Sequence, residues 1–546
     1  MPHIQINKHE FDDLVGAKVT DKTLNEEASF LGVHWNHVNK EKWDIEVYPN
    51  RPDLLSVEGL ARAYRGYFEK ETGLQEFNVE EGSVKLKKHD SVEEVRPHIA
   101  CAVIRNIELN EKIINGLIQL QEKLHVSYGR QRDKLAIGLH DMSEITAPFT
   151  YKAVDPEEVS FRPLEHDSEV HLDQILQEHD KGQEYAWILE GEDQYPVIVD
   201  SDDKVLSFPP IINNQLTEVE NETEDIFIDV TGKHEETVKK ALNILVAALS
   251  ERGGEIESVE VDGEEMPDLE PETFELDLEY VNSVSGLDLD LKQVKQRLEQ
   301  MRYGVSMEDG FSVEVPAYRT DVMHQYDLIE DIVIAYGYEN IEPELPEVDQ
   351  DGGLTELSRF TDELREIMLR SGVLEANTYV LTKKEDLYGK MEVEEFDEQV
   401  ELENPMTEEY STVRSYLAPS LFAVLQENKH NAYPQEFFEV EDVAVKSDNY
   451  KGSENRRKAA YIAAGEVDYN QARAKLQSLE RDLGVELKLE EASKGFHKTS
   501  RSANIFLNGE KMGFIGEYSE KVAENWGLDQ KAVGFELDVE KFMELL

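Results

Sequence analysis

Apolar residues recur at helical spacing between Arg319 and Tyr338. At about 100° per residue, one side of this segment carries Leu328, Ile329, Ile332, Val333 and Tyr336. Thr320 or Asp321 is expected to cap the first free N–H groups, and Gly337 is expected to end the helix. The pattern therefore predicts an amphipathic helix whose apolar side packs against a core.

The opposite side of the predicted helix is acidic. Asp327, Glu330 and Asp331 follow one another at i, i+3 and i+4, and Asp321 lies at the helix entry. Such oxygen donors suit Mg²⁺, which prefers oxygen ligands and keeps several of its waters. A solvated acidic face explains the same spacing, because acidic faces are common on amphipathic helices. Ile334 lies among the carboxylates, which indicates that another part of the protein covers some of this face.

The hydrophobic pattern divides the chain into four regions, since 546 residues are too many for one core. Residues 1–90 open with a strand and a helix, and a turn-rich VYPNRPD segment leads into a second helix. Residues 95–265 mix strands and helices, and the short helices, strand and turn of 270–345 suggest a winged-helix-like module. Residues 350–546 begin with a long helix followed by separated strands, which favours a mostly antiparallel sheet with flanking helices. We therefore expect a multidomain α+β protein.

Polar residues interrupt the apolar strands of the second region at two places. Ser207 precedes a rigid Phe-Pro-Pro run, and Asn213 closes the same corner. Asp229 and Thr231 alternate within the strand IFIDVTG and are expected to point to one face. Together these four residues predict a small polar pocket. Turn and cap chemistry by such side chains explains the same pattern, so both interpretations stay open.

Other candidate residues are isolated. Arg414 lies just before a helix expected over 417–428. It could bind a carboxylate or phosphate of a ligand. It could equally form a salt bridge with one of the many acidic residues of the chain. His125, His140 and His324 are interpreted as structural, because a lone histidine more often is. No P-loop, GxGxxG, CxxC, HExxH or GxSxG motif occurs, so the usual nucleotide, zinc, redox and hydrolase signatures are absent.

The strongly negative charge of the chain indicates the salt concentration in which the protein works. Asp and Glu number 117 against 56 Lys and Arg, which gives a net charge of −61, and the excess is spread along the whole sequence. Molar salt shortens the Debye length to about 3 Å and screens this repulsion, so we infer a host with a very salty cytoplasm. Nucleic-acid binding would then rest on shape, stacking and hydrogen bonds. The single cysteine, Cys101, and the lack of a membrane span or signal segment indicate a cytoplasmic protein.

Six segments resemble the β-subunit family of phenylalanine–tRNA ligase in its archaeal and eukaryotic short form. They are VYPNRPDLLSVEGLARAYRGY, KLAIGLHDMSEITAPFTY, VLSFPPIINN, IFIDVTG, YRTDVMHQYDLIEDIVIAYGYENI and LENPMTEEYSTVRSYLAPSLF. They occur in one order and span essentially the whole chain, which coincidence does not explain.

The resemblance implies a partner α subunit in an (αβ)₂ heterotetramer that attaches phenylalanine to tRNA(Phe), with ATP bound mainly by α. Residues 1–90 would be a B1-like domain, 95–265 a B3/B4-like editing domain and 270–345 a B5-like domain. Residues 350–546 would be a degenerate class II synthetase core. No arginine follows Gly516, although active class II enzymes end in a Gly-rich segment with an arginine that stacks on ATP.

The resemblance also implies roles for the candidate residues. The Mg²⁺ site of the B5 domain matches Asp321, Asp327, Glu330 and Asp331. The candidates for hydrolysis of mischarged Tyr-tRNA(Phe) are Ser207, Asn213, Asp229 and Thr231. Such editing is needed because an apolar pocket cannot strongly reject a ligand that merely adds a hydroxyl. Two other functions stay open, a stand-alone hydrolase of mischarged tRNA and a non-enzymatic nucleic-acid-binding scaffold.

Overall fold

The computed structural model describes residues 2–20, 24, 29–37, 41–307, 311–348, 350–492 and 495–546. Contacts divide the chain into two compact units, Met1–Glu344 and Leu345–Leu546. The first unit therefore holds the three regions that the sequence pattern separates before residue 345.

The first unit opens with a small antiparallel sheet of order β1-β3-β2. Its elements are β1 (His3–Asn7), α1 (Lys8–Val15), β2 (Val33–His37), β3 (Lys42–Val47) and α2 (Val57–Tyr67). The ring of Phe11 lies 5.5 Å from that of Trp35 and 5.7 Å from that of Tyr64. Ser56 caps α2, because its hydroxyl accepts a hydrogen bond from the N–H of Gly59 at 3.1 Å.

A ten-stranded sheet forms the centre of the first unit, with the order β12-β11-β10-β7-β4-β14-β5-β13-β6 and β15 paired to β14. Its strands are β4 (Val79–Lys88), β5 (His98–Arg105), β6 (Leu135–Asp141), β7 (Phe149–Val154), β10 (Tyr195–Val199), β11 (Val205–Phe208), β12 (Ile212–Asn213), β13 (Ile226–Gly232), β14 (Glu255–Val261) and β15 (Glu264–Met266). Two short strands, β8 (Ser160–Phe161) and β9 (Val170–His171), pair separately. The helices are α3 (Glu111–Val126), α4 (Leu172–Glu178), α5 (Asp180–Tyr185) and α6 (Glu235–Ser250). Strand β13 is buried throughout, because β5 and β6 pair with its two edges and α6 packs on it.

Strand β4 belongs to this central sheet, although the sequence analysis places it in the region 1–90. It pairs in parallel with both β14 and β7. Apolar and charged side chains alternate along this strand, as in a strand with one buried face. Val84 and Leu86 are buried in the core, while Lys85 donates a hydrogen bond to Glu260 at 2.5 Å. The boundary between the first two regions therefore lies before Val79.

The last part of the first unit is a module of three helices and a three-stranded sheet of order β16-β18-β17. Its elements are β16 (Glu272–Glu275), α7 (Leu278–Ser285), α8 (Leu291–Gln300), β17 (Gly304–Ser306), β18 (Ser312–Val315) and α9 (Gln325–Tyr336). This is the region for which the sequence predicts a winged-helix-like module.

Helix α9 begins later than the sequence analysis predicts. Its N-cap is His324, not Asp321 or the threonine before it. Asp321 is not available as a cap, because Arg319 donates two hydrogen bonds to its carboxylate at 2.8 and 2.7 Å. Asp327 takes part in the cap instead and accepts a hydrogen bond from the N–H of His324 at 2.8 Å. The choice of cap thus depends on a neighbouring arginine.

The apolar side and the end of α9 agree with the prediction. The buried residues of that side are Leu328, Ile329, Ile332 and Val333. The helix ends at Gly337, and Ile334 is buried, as expected for a partly covered face. The interpretation of a solvated acidic face is wrong for Asp331, which is buried. Tyr303 and Arg319 donate hydrogen bonds to it at 2.5 and 2.8 Å.

The second unit is built on a seven-stranded sheet of order β19-β22-β23-β27-β26-β25-β24. Its strands are β19 (Leu374–Glu375), β22 (Gln435–Lys446), β23 (Ser453–Gly465), β24 (Lys488–Glu491), β25 (His497–Leu507), β26 (Glu510–Tyr518) and β27 (Lys531–Asp538), and β20 (Leu381–Thr382) pairs with β21 (Thr412–Val413). The helices are α10 (Glu356–Arg370), α11 (Ala418–Glu427), α12 (Tyr469–Leu483), α13 (Glu520–Asn525) and α14 (Val539–Glu544). The strand pairs are antiparallel except for β19 with β22, in agreement with the predicted sheet.

Candidate functional site

A cavity of about 390 Å³ lies in the first unit between helix α3, strand β6 and the corner that joins β11 to β12. Its walls are largely apolar, with residues such as Leu117, Ile137 and Phe208. Three of the four residues predicted for a polar pocket line it: Ser207, Asn213 and Asp229. Apolar cavities of about 300–1,000 Å³ with a few placed polar groups are typical of small-molecule sites.

Ser207 and Asn213 face each other as paired residues of β11 and β12. The amide of Asn213 donates a hydrogen bond to the carbonyl oxygen of Leu139 at 3.1 Å, which ties the corner to β6. Ser207 is 2% exposed, and its hydroxyl has no hydrogen-bond partner among the described residues. Because a buried hydroxyl without a partner costs free energy, its place on a cavity wall favours a role in ligand binding.

Asp229 reaches the cavity from the middle of the sheet. It lies on β13 opposite Gly138 of β6. A Cβ atom at position 138 would stand 2.0 Å from Oδ2 of Asp229, so the glycine leaves the space that the carboxylate occupies. The Nε2 atom of His140 lies 2.8 Å from the same oxygen. The cavity wall therefore holds a buried carboxylate that is fixed by a histidine.

Thr231 shares a strand face with Asp229, as the alternation predicts, but the residues that line the cavity do not include it. Its hydroxyl accepts a hydrogen bond from Nε of Arg96 at 3.0 Å, and its carbonyl oxygen accepts another at 2.8 Å. Arg96 is buried, and this burial lowers the pKa of its guanidinium to about 10. Arg96 thus forms hydrogen bonds with both the hydroxyl and the carbonyl oxygen of Thr231.

A polar group on the helical wall is not among the predicted site residues. The Nδ1 atom of His125 lies 3.1 Å from Glu122, and Arg132 donates to the same carboxylate at 2.6 Å. Burial lowers the pKa of His125 to about 4, although Glu122 opposes this shift. Burial alone would raise the pKa of Glu122, but His125 and Arg132 lower it to about 2. The spacing of Glu122 and His125 on one helix was a usable signal, whereas Arg132 comes from a turn without a recognisable pattern.

The second candidate site surrounds Arg319. Burial alone would raise the pKa of Asp321, but Arg319 lowers it to about 2. Glu330 behaves differently, since burial raises its pKa and the charges of Asp331, Asp321 and Asp327 raise it further. Within the described part of the chain, no donor forms a hydrogen bond with Glu330. Four carboxylates therefore influence one another here, and Arg319 and Arg51 offset only part of their charge.

The donor chemistry of this cluster fits a hard divalent cation such as Mg²⁺, because every candidate ligand is a carboxylate. In the part of the chain that the structure describes, no three acidic, histidine or cysteine side chains converge as metal ligands do. Asp321 and Asp331 bond Arg319, and Asp327 caps α9. Glu330 is therefore the carboxylate that a cation would engage with the least rearrangement.

Arg414 lies in the core of the second unit and forms a buried salt bridge. Its guanidinium donates hydrogen bonds to Glu439 at 2.8 Å, to the hydroxyl of Thr378 at 2.7 Å and to the carbonyl oxygen of Asp442 at 3.0 Å. The side chains of Arg414 and Glu439 are 0% and 1% exposed. The salt-bridge interpretation of this arginine agrees with the structure.

Three family models match the chain in succession. The B3/4 domain model matches residues 92–261, and the tRNA synthetase B5 domain model matches residues 274–338. The model named phenylalanyl tRNA synthetase beta chain CLM domain matches residues 341–539. The cavity thus lies in the B3/4 part, and the carboxylate cluster lies in the B5 part.

Relatives match over the full length. The phenylalanine–tRNA ligase beta subunit of Archaeoglobus fulgidus is 40% identical over 100% of this chain and 99% of the relative. This chain belongs to the phenylalanine–tRNA ligase β-subunit family. The β subunit of Thermococcus sibiricus is 38% identical over 99% of both chains. Among solved structures, an N-terminal fragment of the β subunit from Pyrococcus horikoshii is 36% identical with a TM-score of 0.59, covering 61% of this chain and 99% of the fragment.

Membership of this β-subunit family confirms the resemblance seen in the six sequence segments. It places the chain among aminoacyl-tRNA synthetases, which are ligases of protein biosynthesis. The multidomain α+β architecture is confirmed as well. None of the described helices is both long enough and apolar enough to cross a membrane.

Proposed function

We propose that this chain acts with an α subunit, in a cytoplasmic (αβ)₂ heterotetramer, to attach L-phenylalanine to tRNA(Phe) with ATP. In this assignment α binds and activates the amino acid, while this chain contributes to tRNA binding and proofreading. The full-length matches to β subunits at 38–40% identity support it. The lack of an arginine after Gly516 supports a role for the second unit that does not include ATP activation.

In the proposed complex, the cavity of the first unit hydrolyses Tyr-tRNA(Phe). The observation that carries this proposal is the buried hydroxyl of Ser207, which has no partner among the described residues and lines a mostly apolar cavity. The phenol of tyrosine both donates and accepts a hydrogen bond, so it can satisfy this hydroxyl. Phenylalanine would leave it unpaired, at a cost of about 1–3 kcal/mol. The cavity would therefore prefer the amino acid that the activation site fails to reject.

Hydrolysis in this cavity uses a positioned water. The water oxygen bonds to the ester carbonyl carbon, and the bond from that carbon to the ribose oxygen breaks. The proton that the water loses ends on the ribose oxygen, so the products are tyrosine and free tRNA. We assign Asp229 as the acceptor that orients the water, because it is the carboxylate of the sheet wall. Asn213 holds the corner that carries Ser207 against β6.

The carboxylate cluster of the B5 part is proposed to hold Mg²⁺ through Glu330 together with Asp321, Asp327 and Asp331. Bound there, the ion would offset the negative charge that Arg319 and Arg51 leave unbalanced. Its role would be structural, in the stability of the module or the seating of the α subunit. The raised pKa of Glu330, caused by burial and by the three other carboxylates, supports a site that favours added positive charge.

The decisive experiment measures charging of tRNA(Phe) with phenylalanine, and hydrolysis of Tyr-tRNA(Phe), in molar KCl. Three preparations are compared: this chain alone, the α subunit alone and the co-expressed pair. Only the pair is expected to charge. In the pair, Asp229→Asn is expected to slow hydrolysis at least about tenfold and to leave charging unchanged. The control Asp202→Asn, at an exposed position of the same unit, should change neither rate.

The other outcomes point to the two other functions. Hydrolysis of Tyr-tRNA(Phe) by this chain alone, without charging by any preparation, would identify a stand-alone hydrolase. Binding of tRNA without either reaction would identify a non-enzymatic scaffold. Each result would overturn the proposed function.

A further inference from the structure

His140 is a buried titratable group that the proposed reaction does not yet use. It lies on β6 two residues after Gly138 and is 0% exposed. Its Nε2 atom lies 2.8 Å from Oδ2 of Asp229, and its Nδ1 atom lies 2.8 Å from the hydroxyl oxygen of Thr217. Both ring nitrogens are therefore engaged, and the imidazole connects Thr217 to the carboxylate on the cavity wall.

The bond to Asp229 determines where the imidazole carries its proton. An ionised carboxylate only accepts hydrogen bonds, so Nε2 of His140 must be the donor. In a neutral imidazole the other nitrogen then accepts, which requires Thr217 to donate to Nδ1. Competing acceptors of the Thr217 hydroxyl are farther away, at 3.2 Å for the carbonyl oxygen of Asn214 and 3.4 Å for that of Leu206. With the neutral imidazole, the hydrogen bonds run from Thr217 through His140 to Asp229.

This chain of hydrogen bonds begins beside the corner of Ser207 and Asn213 and ends at Asp229 on the cavity wall. Thr217 ends a short 3-10 turn, Gln215–Thr217, that directly follows the corner of Ser207 and Asn213. Asp229 lines the cavity from β13, whereas the residues that line the cavity include neither Thr217 nor His140. The imidazole therefore stands behind the wall and contacts the carboxylate from the side that a ligand does not reach.

We propose that His140 is a positioning residue for Asp229, and that Thr217 holds it in the Nε2–H tautomer. The inference rests on the proposed hydrolysis of Tyr-tRNA(Phe), and it adds the group that orients the carboxylate. His140 occupies one oxygen of Asp229, so the other oxygen is left for the water.

The test uses the co-expressed complex with His140→Leu and His140→Gln. Leucine removes the donor, whereas glutamine carries an N–H group at about the place of Nε2. His140→Leu is expected to lower kcat for Tyr-tRNA(Phe) hydrolysis on the order of 10²-fold and to leave KM within about twofold, because His140 does not contact the substrate. His140→Gln is expected to recover most of the lost rate. Charging with phenylalanine controls for folding and assembly in each variant.

A second measurement reads the tautomer directly. In a complex whose β subunit is labelled with ¹⁵N-histidine, the signal of His140 is the one that His140→Gln removes. We expect the pattern of the Nε2–H tautomer. The Nδ1–H tautomer overturns the inference, whatever the rates are.

The outcomes separate this inference from the function on which it rests. If the wild-type complex charges tRNA but leaves Tyr-tRNA(Phe) intact, both the proposed editing and the role of His140 in it are overturned. If His140→Leu hydrolyses Tyr-tRNA(Phe) at the wild-type rate, only the positioning role is overturned. If His140→Leu and His140→Gln lose the same fraction of the hydrolysis rate, the positioning role is also overturned, because the rate would then not depend on a donor at the place of Nε2.

Discussion

Gly138 lies directly opposite Asp229 in the pairing of β6 with β13, and the carboxylate fills the space that a side chain at 138 would need. A Cβ atom there would come within 2.0 Å of Asp229 Oδ2 and 2.6 Å of His140 Nε2. The contact between the carboxylate and the imidazole is therefore possible only because residue 138 has no side chain.

Gly138→Ala is expected to displace the Asp229 carboxylate. Hydrolysis of Tyr-tRNA(Phe) should fall about 10²-fold, since a misplacement near 1 Å costs that much. The added methyl group should also cost about 1–3 kcal/mol of unfolding free energy. The matched control is Gly116→Ala on α3, where a Cβ meets nothing within 4 Å. It should stabilise the helix and keep hydrolysis. A Gly138→Ala complex with wild-type hydrolysis would contradict the geometry.

Ser207→Ala is expected to slow the hydrolysis of Tyr-tRNA(Phe) without lowering the stability of the chain. The variant removes a buried hydroxyl that has no partner in the described residues, so the unfolding free energy should stay the same or rise by about 1 kcal/mol. Hydrolysis of Tyr-tRNA(Phe) should fall about 10–100-fold, because the phenol loses its partner. Ser258→Ala is the control, since that hydroxyl bonds Gly82 and Glu265 and its loss should destabilise the unit. A Ser207→Ala complex that is clearly less stable than wild type would count against an unpaired hydroxyl.

Because the imidazole of His125 is buried, we expect the unfolding free energy of the chain to fall at acidic pH. Its pKa in the folded chain is about 4, lowered by burial from 6.5. The unfolded chain therefore binds more protons between these values, and stability present above pH 6.5 is lost as pH falls towards 4. From pH 7 to pH 5 the loss is about 2 kcal/mol. Urea unfolding in molar KCl at both pH values measures it.

The variant His125→Gln tests this assignment, because it has no titratable group at that place. Its unfolding free energy should change less between pH 7 and pH 5 than that of the wild type. The control His9→Gln, at an exposed position, should keep the wild-type difference. An unchanged pH dependence in His125→Gln would assign the effect to other groups.

The buried pair of Arg414 and Glu439 predicts a strong effect in the second unit. Arg414→Met leaves the Glu439 carboxylate buried without its cation, which should cost about 3–5 kcal/mol. The double variant Arg414→Met/Glu439→Leu should recover part of this loss, since it removes both charges. The exposed pair of Lys488 and Glu490 gives the control, and Lys488→Met should change the urea midpoint very little. A mild Arg414→Met variant would show that water reaches the pair.

Binding of Mg²⁺ to the B5 part is best tested at Glu330, because Asp327 also caps α9 and its loss would weaken the helix without any metal. The thermal midpoint of the wild-type complex should rise with added MgCl₂ at constant ionic strength. Glu330→Gln should abolish this rise, and the exposed Glu279→Gln should keep it. Asp327→Ala should lower stability or assembly and leave hydrolysis by the intact complex unchanged. A midpoint of Glu330→Gln that still responds to Mg²⁺ would exclude this site.

Local signals explain which parts of the fold could be predicted. Gly337 marks the end of α9 because glycine tolerates the backbone geometry of a helix end. The start of the same helix was misplaced because it depends on Arg319 taking the carboxylate of Asp321. The burial of Asp331 depends on Tyr303, which is 28 residues away in sequence. Contacts of this kind leave no periodic trace in a single sequence.

In the candidate site, too, features with a local sequence signal could be predicted, whereas contacts between distant residues could not. The two prolines after Ser207 indicate a rigid corner, and the structure pairs Ser207 with Asn213 there. Alternation correctly gave Thr231 the face of Asp229, but it carries no information about Arg96, which is 135 residues away and covers it. The structural interpretation of His140 missed its contact with Asp229, because the two residues are 89 positions apart in the sequence.

The place of β4 in the central sheet bears on how the chain is made. Its neighbour β14 separates it from β5, yet Glu255–Val261 leaves the ribosome long after Val79–Lys88. Since translation proceeds at about 5–20 residues per second, β4 must wait roughly 8–33 seconds for this partner. A nascent chain that stops before residue 255 has a gap in the middle of its sheet. The ten-stranded sheet is therefore expected to become resistant to protease in a single late step, once residue 261 has emerged.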